Sequence, residues 1–459
     1  MKALTADLDS ASKSEVATQA SLAGYPRYRA VSSGVLSLAD LQKALQPGEA
    51  YYRMTIVDDN IYALLASPTS ARAMKLGLTA KDLDDQVSSL RDTISTIEKG
   101  QQVTYAYDVA LAHKLYTELF GPVDGDLKDV RHLIFEPDGG MLRMPPNPLV
   151  VDQASVDLYA ARVKSDPNAD FDFTGIKWFG RDRDISTAVS PLSFVELRQA
   201  PPASGTKQYL GLGHNSLPAQ GADAAQSAAD RDCVLPLASW NRPISDRELH
   251  IAGDILSKFD AKGVQIVTGD AFTDTAIEAR KDLDQYRIIH FATHGVVTAP
   301  RPKCPTQPAL LTSFGGTGSD GLLTFRDIFD LDLDADIVIL PACDTAGKAT
   351  ALATQSAGLA TGGDVALDGL VRAFVGAGGR LVVASHWAVP DDFNATQRLM
   401  TGIFTAPPGT PTVTALRESE QKLMDDVNTS HPFYWSAFAA VGDGEIPIIR
   451  AKPQVAQKP

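Results

Sequence analysis

Cysteine is scarce in this chain: Cys233, Cys304 and Cys343 are the whole supply in 459 residues. An odd count without paired spacing excludes a disulfide framework and a cysteine zinc cluster, and it suits a reducing compartment. Long apolar runs are also absent. No stretch nears the ~18 apolar residues of a spanning helix. The opening MKALTADLDSASKSE lacks the apolar segment of a signal peptide. The expectation is a soluble, cytoplasmic protein with no membrane partner. Basic charge is in deficit, 42 Lys and Arg against 56 Asp and Glu, for a net charge of -14. That argues against direct nucleic-acid binding. Nucleotide motifs are missing as well. The loop FGGTGSDG has no lysine and no strand–helix setting, and GLGHNS has no serine between its glycines. No cofactor is expected.

What is present is an ordinary globular composition, 44% apolar and 21% charged, with length for two domains of usual size. Residues 1–32 are polar and Ser/Ala-rich and read as a lead-in or linker. LSLADLQKAL predicts a short helix capped by Ser37. EAYYRMTIVDDNIYALLAS predicts two strands turning at Asp58, Asp59 and Asn60. Two helices are expected over Leu83–Ile97 and Tyr107–Phe120, then a strand in VRHLIFEPDGG. Further on, QYLGLG, VQIVTGD, YRIIHFATHG, ADIVILPACDTA and RLVVASHWAV read as strands. Helices fall over Leu249–Phe259, DTAIEARKDL (capped by Asp274), DGLVRAFVGAG, DFNATQRLMTGIF and VTALRESEQKLMDDV. Strands alternating with helices predict an α/β fold with a mainly parallel sheet. The unbroken runs IIHFA, IVIL and LVVA fit strands covered on both faces.

Ligands of such sheets bind beyond the carboxyl ends of the strands. One strand ends at His294, another at Cys343 in Pro-Ala-Cys-Asp-Thr-Ala-Gly, and a third at His386 and Trp387. A thiol needs a base to react at neutral pH, and imidazole is the usual one. His294 and Cys343 face each other if their strands are neighbours. The backbone N–H groups of Gly295 and Cys343 are then two donors for an acyl-transfer oxyanion. His290, inside its apolar run, reads as an interior histidine with a polar partner. His290 and His294 do not make a metal pair. Four strand residues span roughly 13 Å, and metal–ligand bonds are about 2 Å. No metal is expected.

Four ordered motifs, HFATHG, PACDTAG, GDVALDGLVRAFVGAGGRLVVASHWAV and HPFYWSAFAAVGDGE, resemble the CHAT family of caspase-like proteins. LQKALQPGEAYYRMTIVDDNIYALLAS and VRHLIFEPDGGMLRMPPNPLV resemble its amino-terminal part, so the likeness covers roughly residues 30–445. His294 precedes Cys343 by 49 positions, near the ~50 of caspases. The resemblance implies a caspase-like α/β sandwich and a cysteine endopeptidase acting on protein, with His294 as general base and Cys343 as nucleophile. It also implies, by analogy with separases, a catalytically silent caspase-like region over 33–200 ahead of a catalytic region over 201–450. Glu136, Pro137 and Asp138 then stand near the position His294 holds in the active half.

Two departures stand out. Pro341 replaces the family's usual serine, and His386 its usual leucine. Ala388 follows Trp387, which leaves basic specificity without its usual acid. Asp344, Asp364, Asp391 and Asp392 are candidate charges for a substrate pocket and Trp387 a candidate wall. Thr298–Gly321 and Thr345–Asp364 read as mobile segments that order on an activating protein partner or are cut by the enzyme itself at Arg301, Lys303 or Lys348. Two other readings stay open. One is an inactive caspase-like scaffold in a bacterial defence or stress-signalling complex. The other is a thiol hydrolase or acyltransferase acting on a small molecule. Substrate and oligomeric state are not legible.

Overall fold

A computed structural model describes residues 36–98, 101–218, 240–297, 308–316, 318–340, 366–387 and 392–451. Helix α1 (Leu38–Ala44) starts at Ser37, whose hydroxyl accepts from the Asp40 N–H. Strands β1 (Glu49–Val57) and β2 (Asn60–Ala66) form the expected hairpin, and Asp58 takes a left-handed φ of 56° in the turn. β3 (Ala71–Thr79) extends the hairpin and was not foreseen, because ARAMKLGLT exposes most of its residues and alternates poorly. Helix α2 (Ala80–Ile94) stops earlier than expected. β4 (Thr96–Glu98) and β5 (Gln101–Val103) make a small separate hairpin after it. α3 (Val109–Leu119), β6 (His132–Glu136), α4 (Gln153–Ser165), β7 (Asp184–Thr187) and α5 (Pro191–Gln199) complete the first section.

The second section opens with β8 (Lys207–Gly213), α6 (Arg247–Leu256), β9 (Val264–Thr268) and α7 (Asp274–Glu278). The cap of α7 is Thr273, not Asp274. The Thr273 hydroxyl accepts from Ala276, while Asp274 turns inward to Ser319 and Asp320. β10 (Tyr286–Ala292) follows, then a three-stranded sheet of β11 (Gly295–Val297), β12 (Pro308–Leu311) and β13 (Leu322–Thr324). The stretch Thr298–Gly321 is therefore not wholly mobile: Pro308–Leu311 is a fully buried strand within it. α8 (Phe325–Asp330), β14 (Ala335–Leu340), α9 (Ala366–Ala377), β15 (Gly379–Ser385), α10 (Ala395–Phe404), α11 (Thr412–Met424), α12 (Pro432–Trp435) and β16 (Phe438–Gly442) finish the chain.

One eleven-stranded sheet joins both sections, in the order β3-β2-β1-β6-β7-β16-β15-β14-β10-β8-β9. β1, β6 and β7 run parallel, as do β15, β14, β10, β8 and β9. β16 pairs antiparallel with β15 and meets β7 through Val441 opposite Thr187. β10, β14 and β15 are buried at every position, as their unbroken apolar runs require. One face packs Ile288, Ile337, Ile339, Leu381 and Val383 into the core that holds Leu256 of α6 and Phe404 of α10. The other packs Ile289, Phe291, Val338, Leu340 and Val382 with Leu370 and Phe374 of α9. Each such side chain stabilises the fold by about 1.5–3 kcal/mol. The two cores clamp the middle strands between them. No described helix is long and apolar enough to cross a membrane.

Candidate active site

β10 ends at Ala292, and the next two residues are both fastened to Leu311 of β12. The Thr293 hydroxyl donates to the Leu311 carbonyl at 2.5 Å, and the Leu311 N–H donates to the His294 carbonyl at 2.8 Å. A trans peptide directs its C=O and N–H oppositely. Since the His294 carbonyl faces β12, the Gly295 N–H points away from β12 and out of that ladder.

The His294 ring is partly exposed, with Nε2 2.6 Å from the Arg242 carbonyl oxygen. A carbonyl only accepts, so Nε2 carries the proton and Nδ1 keeps the lone pair of the neutral ring. The segment bearing Arg242 is anchored by Trp240. Its indole is buried and donates to the Thr312 carbonyl at 2.9 Å, and its own carbonyl accepts from Asn215 at 3.2 Å. Sequence reasoning missed Arg242, because every residue has a carbonyl and no side-chain pattern marks the one that matters.

β14 lies directly beside β10, and β15 beside β14. Across β10 and β14 the partners differ by 49 positions, as in Ile288 opposite Ile337 and His290 opposite Ile339. Across β14 and β15 they differ by 44, as in Leu340 opposite Ala384. Cys343, Asp344, Asp364 and Asp391 lie outside the described residues, as do Cys233, Cys304 and the cut sites Arg301, Lys303 and Lys348. Asp392 is exposed, just ahead of Phe393 and Asn394, which hold left-handed φ values of 55° and 53°.

Trp387 is 2% exposed, and its indole N–H donates to the Phe433 carbonyl at 3.1 Å. The Arg91 guanidinium covers its ring at 4.6 Å from the centroid. His290 is interior, as expected. Its Nδ1 is 2.9 Å from the Tyr209 hydroxyl, its ring stacks on Phe404, and burial pushes it down to about 3, so it stays neutral. Its Nε2 makes no hydrogen bond among the described residues and lies 3.8 Å from a Glu248 oxygen.

A second polar cluster joins the two sections of the sheet. His132 Nδ1 is 3.1 Å from Glu49 and 3.0 Å from Glu445, and Nε2 is 2.9 Å from the Ser186 hydroxyl. Burial alone would lower the His132 pKa, but the Glu445 and Glu49 carboxylates outweigh it and raise it to about 9. Burial would raise Glu49, but His132 and Arg198 outweigh it and hold it down at about 2. Arg198 also bonds both Glu49 oxygens at 3.0 Å and Asp443 at 2.8 Å. Glu49, His132 and Glu445 bring three possible ligand atoms within 4.8 Å of one another. Arg198 and an imidazolium already neutralise those carboxylates, so the cluster fits an ion-pair network better than a metal centre.

The chain belongs to the CHAT domain family, whose profile matches residues 109–443. No curated protein matches it. Among solved structures it is similar to the separase of a Saccharomyces cerevisiae separase–securin complex, at a TM-score of 0.42 and 10% identity. That overlap takes in 88% of this chain and 30% of the other, so the chain spans under a third of the protein it matches. It is also similar to the complex of Porphyromonas gingivalis RgpB pro- and mature domains, at a TM-score of 0.37 and 11% identity, over 80% of this chain and 76% of the other.

Proposed function

We propose that the protein is a cysteine endopeptidase that cleaves protein substrates with His294 as general base and Cys343 as nucleophile. The observation that carries this reading is a coincidence of two numbers. The pairing offset of β10 and β14 is 49 positions, and the separation of His294 and Cys343 in the chain is also 49. The shared offset supports a reading in which the two residues follow the ends of neighbouring parallel strands, which lie about 4.8 Å apart. The tautomer of His294 supports the same role, since Nδ1 is the nitrogen left to take a proton.

In this mechanism the Cys343 thiol gives its proton to Nδ1 and the thiolate attacks the scissile carbonyl. The Gly295 and Cys343 N–H groups stabilise the oxyanion. The imidazolium returns the proton to the leaving amine, and water then hydrolyses the thioester. Asp344, Asp364, Trp387, Asp391 and Asp392 are the pocket candidates. We assign residues 201–450 to the catalytic unit, 33–200 to a silent caspase-like unit and 1–32 to a lead-in. An activating protein partner or self-cleavage at Arg301, Lys303 or Lys348 would regulate it, and the expected setting is cytoplasmic.

The test is labelling of purified protein with peptidyl electrophiles, run beside a peptide-library cleavage screen. Wild type is expected to label at Cys343 and to cleave, and Cys343→Ala to do neither. Absence of labelling between pH ~6 and ~9, where an activated thiol ionises, would favour the scaffold. Labelling without peptide cleavage would favour small-molecule acyl transfer. Intact mass of wild type beside Cys343→Ala tests self-cleavage, which identical single species exclude.

A further inference from the structure

Three alternate carbonyls of one segment are held by residues at the ends of two strands. The Trp240 carbonyl accepts from the Asn215 amide at 3.2 Å. The Arg242 carbonyl lies 2.6 Å from His294 Nε2, and the Ile244 carbonyl 2.9 Å from His214 Nδ1. His214 and Asn215 follow Gly213, the last residue of β8, and His294 follows the end of β10. Arg242 thus sits midway between two fixed points. Asn241 and Arg242 are themselves exposed, so burial does not place the Arg242 carbonyl. The hydrogen bonds on either side of it do.

His214 is held in a conformation that residues with a Cβ seldom enter, a left-handed φ of 51°. Its N–H donates to the Ala292 carbonyl at 2.9 Å, and its carbonyl accepts from the Gly269 N–H at 2.9 Å. Ala292 ends β10, and Gly269 directly follows β9. A strained residue persists where its surroundings over-determine it. Here they bring the ring to Ile244. That carbonyl only accepts, so Nδ1 of His214 carries a proton. One residue therefore links the end of the strand that leads to His294 with the segment whose carbonyl selects the His294 tautomer.

We propose that His214 is a positioning residue for His294. It fixes Ile244, and through Ile244 the Arg242 carbonyl, so that His294 keeps its proton on Nε2 and leaves Nδ1 open to take one. The catalytic meaning of this link rests on the peptidase reading, but the link between the two histidines does not. GLGHNS carries no nucleophile between its glycines. Its histidine acts through a backbone carbonyl instead of on substrate.

Nitrogen–proton correlation spectra of the histidine rings read the His294 tautomer directly, with His294→Ala to assign its signals. The chains compared are wild type, His214→Gly and His214→Asn. Glycine adopts the left-handed φ freely, so His214→Gly removes the ring without straining the backbone. Asparagine also tolerates that φ, and its amide nitrogen stands where Nδ1 stood and can still donate to Ile244. Wild type is expected to show the Nε2–H form of His294. His214→Gly should show both tautomers, with kcat and iodoacetamide alkylation of Cys343 at pH 7 down about tenfold and KM within about twofold. His214→Asn should restore the tautomer and most of both rates. An unchanged His294 tautomer in His214→Gly overturns the proposal, as does a wild type without the Nε2–H form. So does an equal loss in His214→Gly and His214→Asn that tracks melting temperature, which marks a general structural role. Wild type that shows the Nε2–H form and loses it in His214→Gly, yet neither cleaves nor alkylates rapidly, upholds the link and overturns the peptidase reading.

Discussion

Nε2 of His294 lies 2.6 Å from the carbonyl oxygen of Arg242. This contact fixes which nitrogen is protonated, and the orientation depends on a segment pinned by the buried Trp240. Replacing Trp240 with Phe removes the indole N–H to Thr312 while keeping most of the apolar bulk. The expected outcome is a loss in kcat of about 10-fold or more, with KM little changed, as for a misdirected base. His294→Ala should go further and return Cys343 alkylation at pH 7 to the slow rate of an ordinary thiol of pKa ~8.5. Alkylation that ignores both changes would remove His294 from the mechanism.

Gly213 ends β8 beside the end of β10, opposite Ala292. A Cβ there would stand 2.3 Å from the Ala292 carbonyl oxygen and 2.9 Å from its Cβ. The obstacle is backbone and has no flexible end to yield, so one strand must shift. Gly213→Ala is expected to cost about 2–4 kcal/mol of stability and to disturb the turn holding His294. Urea denaturation and alkylation rate check the two effects. A variant as stable as wild type would show that β8 and β10 can part without cost.

Much of this arrangement is legible in the sequence, for identifiable reasons. IIHFA, IVIL and LVVA are unbroken apolar runs, and β10, β14 and β15 are central strands buried on both faces. The His290 assignment follows from the same burial. β16 is less legible, because FAAVG is short and small and sits inside a motif read for its resemblance rather than its pattern. β3 hides behind an exposed, charged sequence suited to an edge strand. Contacts such as Arg242 with His294 and Arg91 with Trp387 join residues 52 and 296 positions apart. Periodicity within one element carries no information about such pairs.

Glu136 closes β6 in a buried site, accepting from the Tyr51 hydroxyl at 2.8 Å with Arg53 at 3.4 Å. Burial outweighs Arg53 and Tyr51 and raises its pKa to about 7, from an ordinary 4.5. A carboxyl raised on folding supports stability below the unfolded value, and that support is lost as pH climbs through the folded one. Glu136→Gln is therefore expected to be more stable than wild type at pH 8, by about 2–3 kcal/mol. The difference should vanish near pH 4.5. Chemical denaturation at several pH values decides it, and a variant weaker than wild type at pH 8 would show that the Arg53 attraction dominates.

In the cluster of Glu49, His132 and Glu445 the pH dependence has two parts of opposite sign. His132, raised to about 9 from 6.5, contributes stability that is whole below pH 6.5 and lost as pH rises through 9. Glu49, lowered to about 2 from 4.5, contributes stability that is whole above pH 4.5 and lost as pH falls through 2. Both are intact only between about pH 4.5 and 6.5 on these values. His132→Gln keeps a polar side chain but removes the cation between Glu49 and Glu445. Its deficit against wild type is expected to reach about 3 kcal/mol in that window. It should shrink steadily above pH 6.5 and be gone above about pH 9, as the wild-type imidazolium deprotonates. Because Arg198 still bonds Glu49 in the variant, the sheet should stay joined and two-state unfolding should persist. A deficit independent of pH between 6 and 10 would mean that His132 acts by shape and neutral hydrogen bonding rather than by charge.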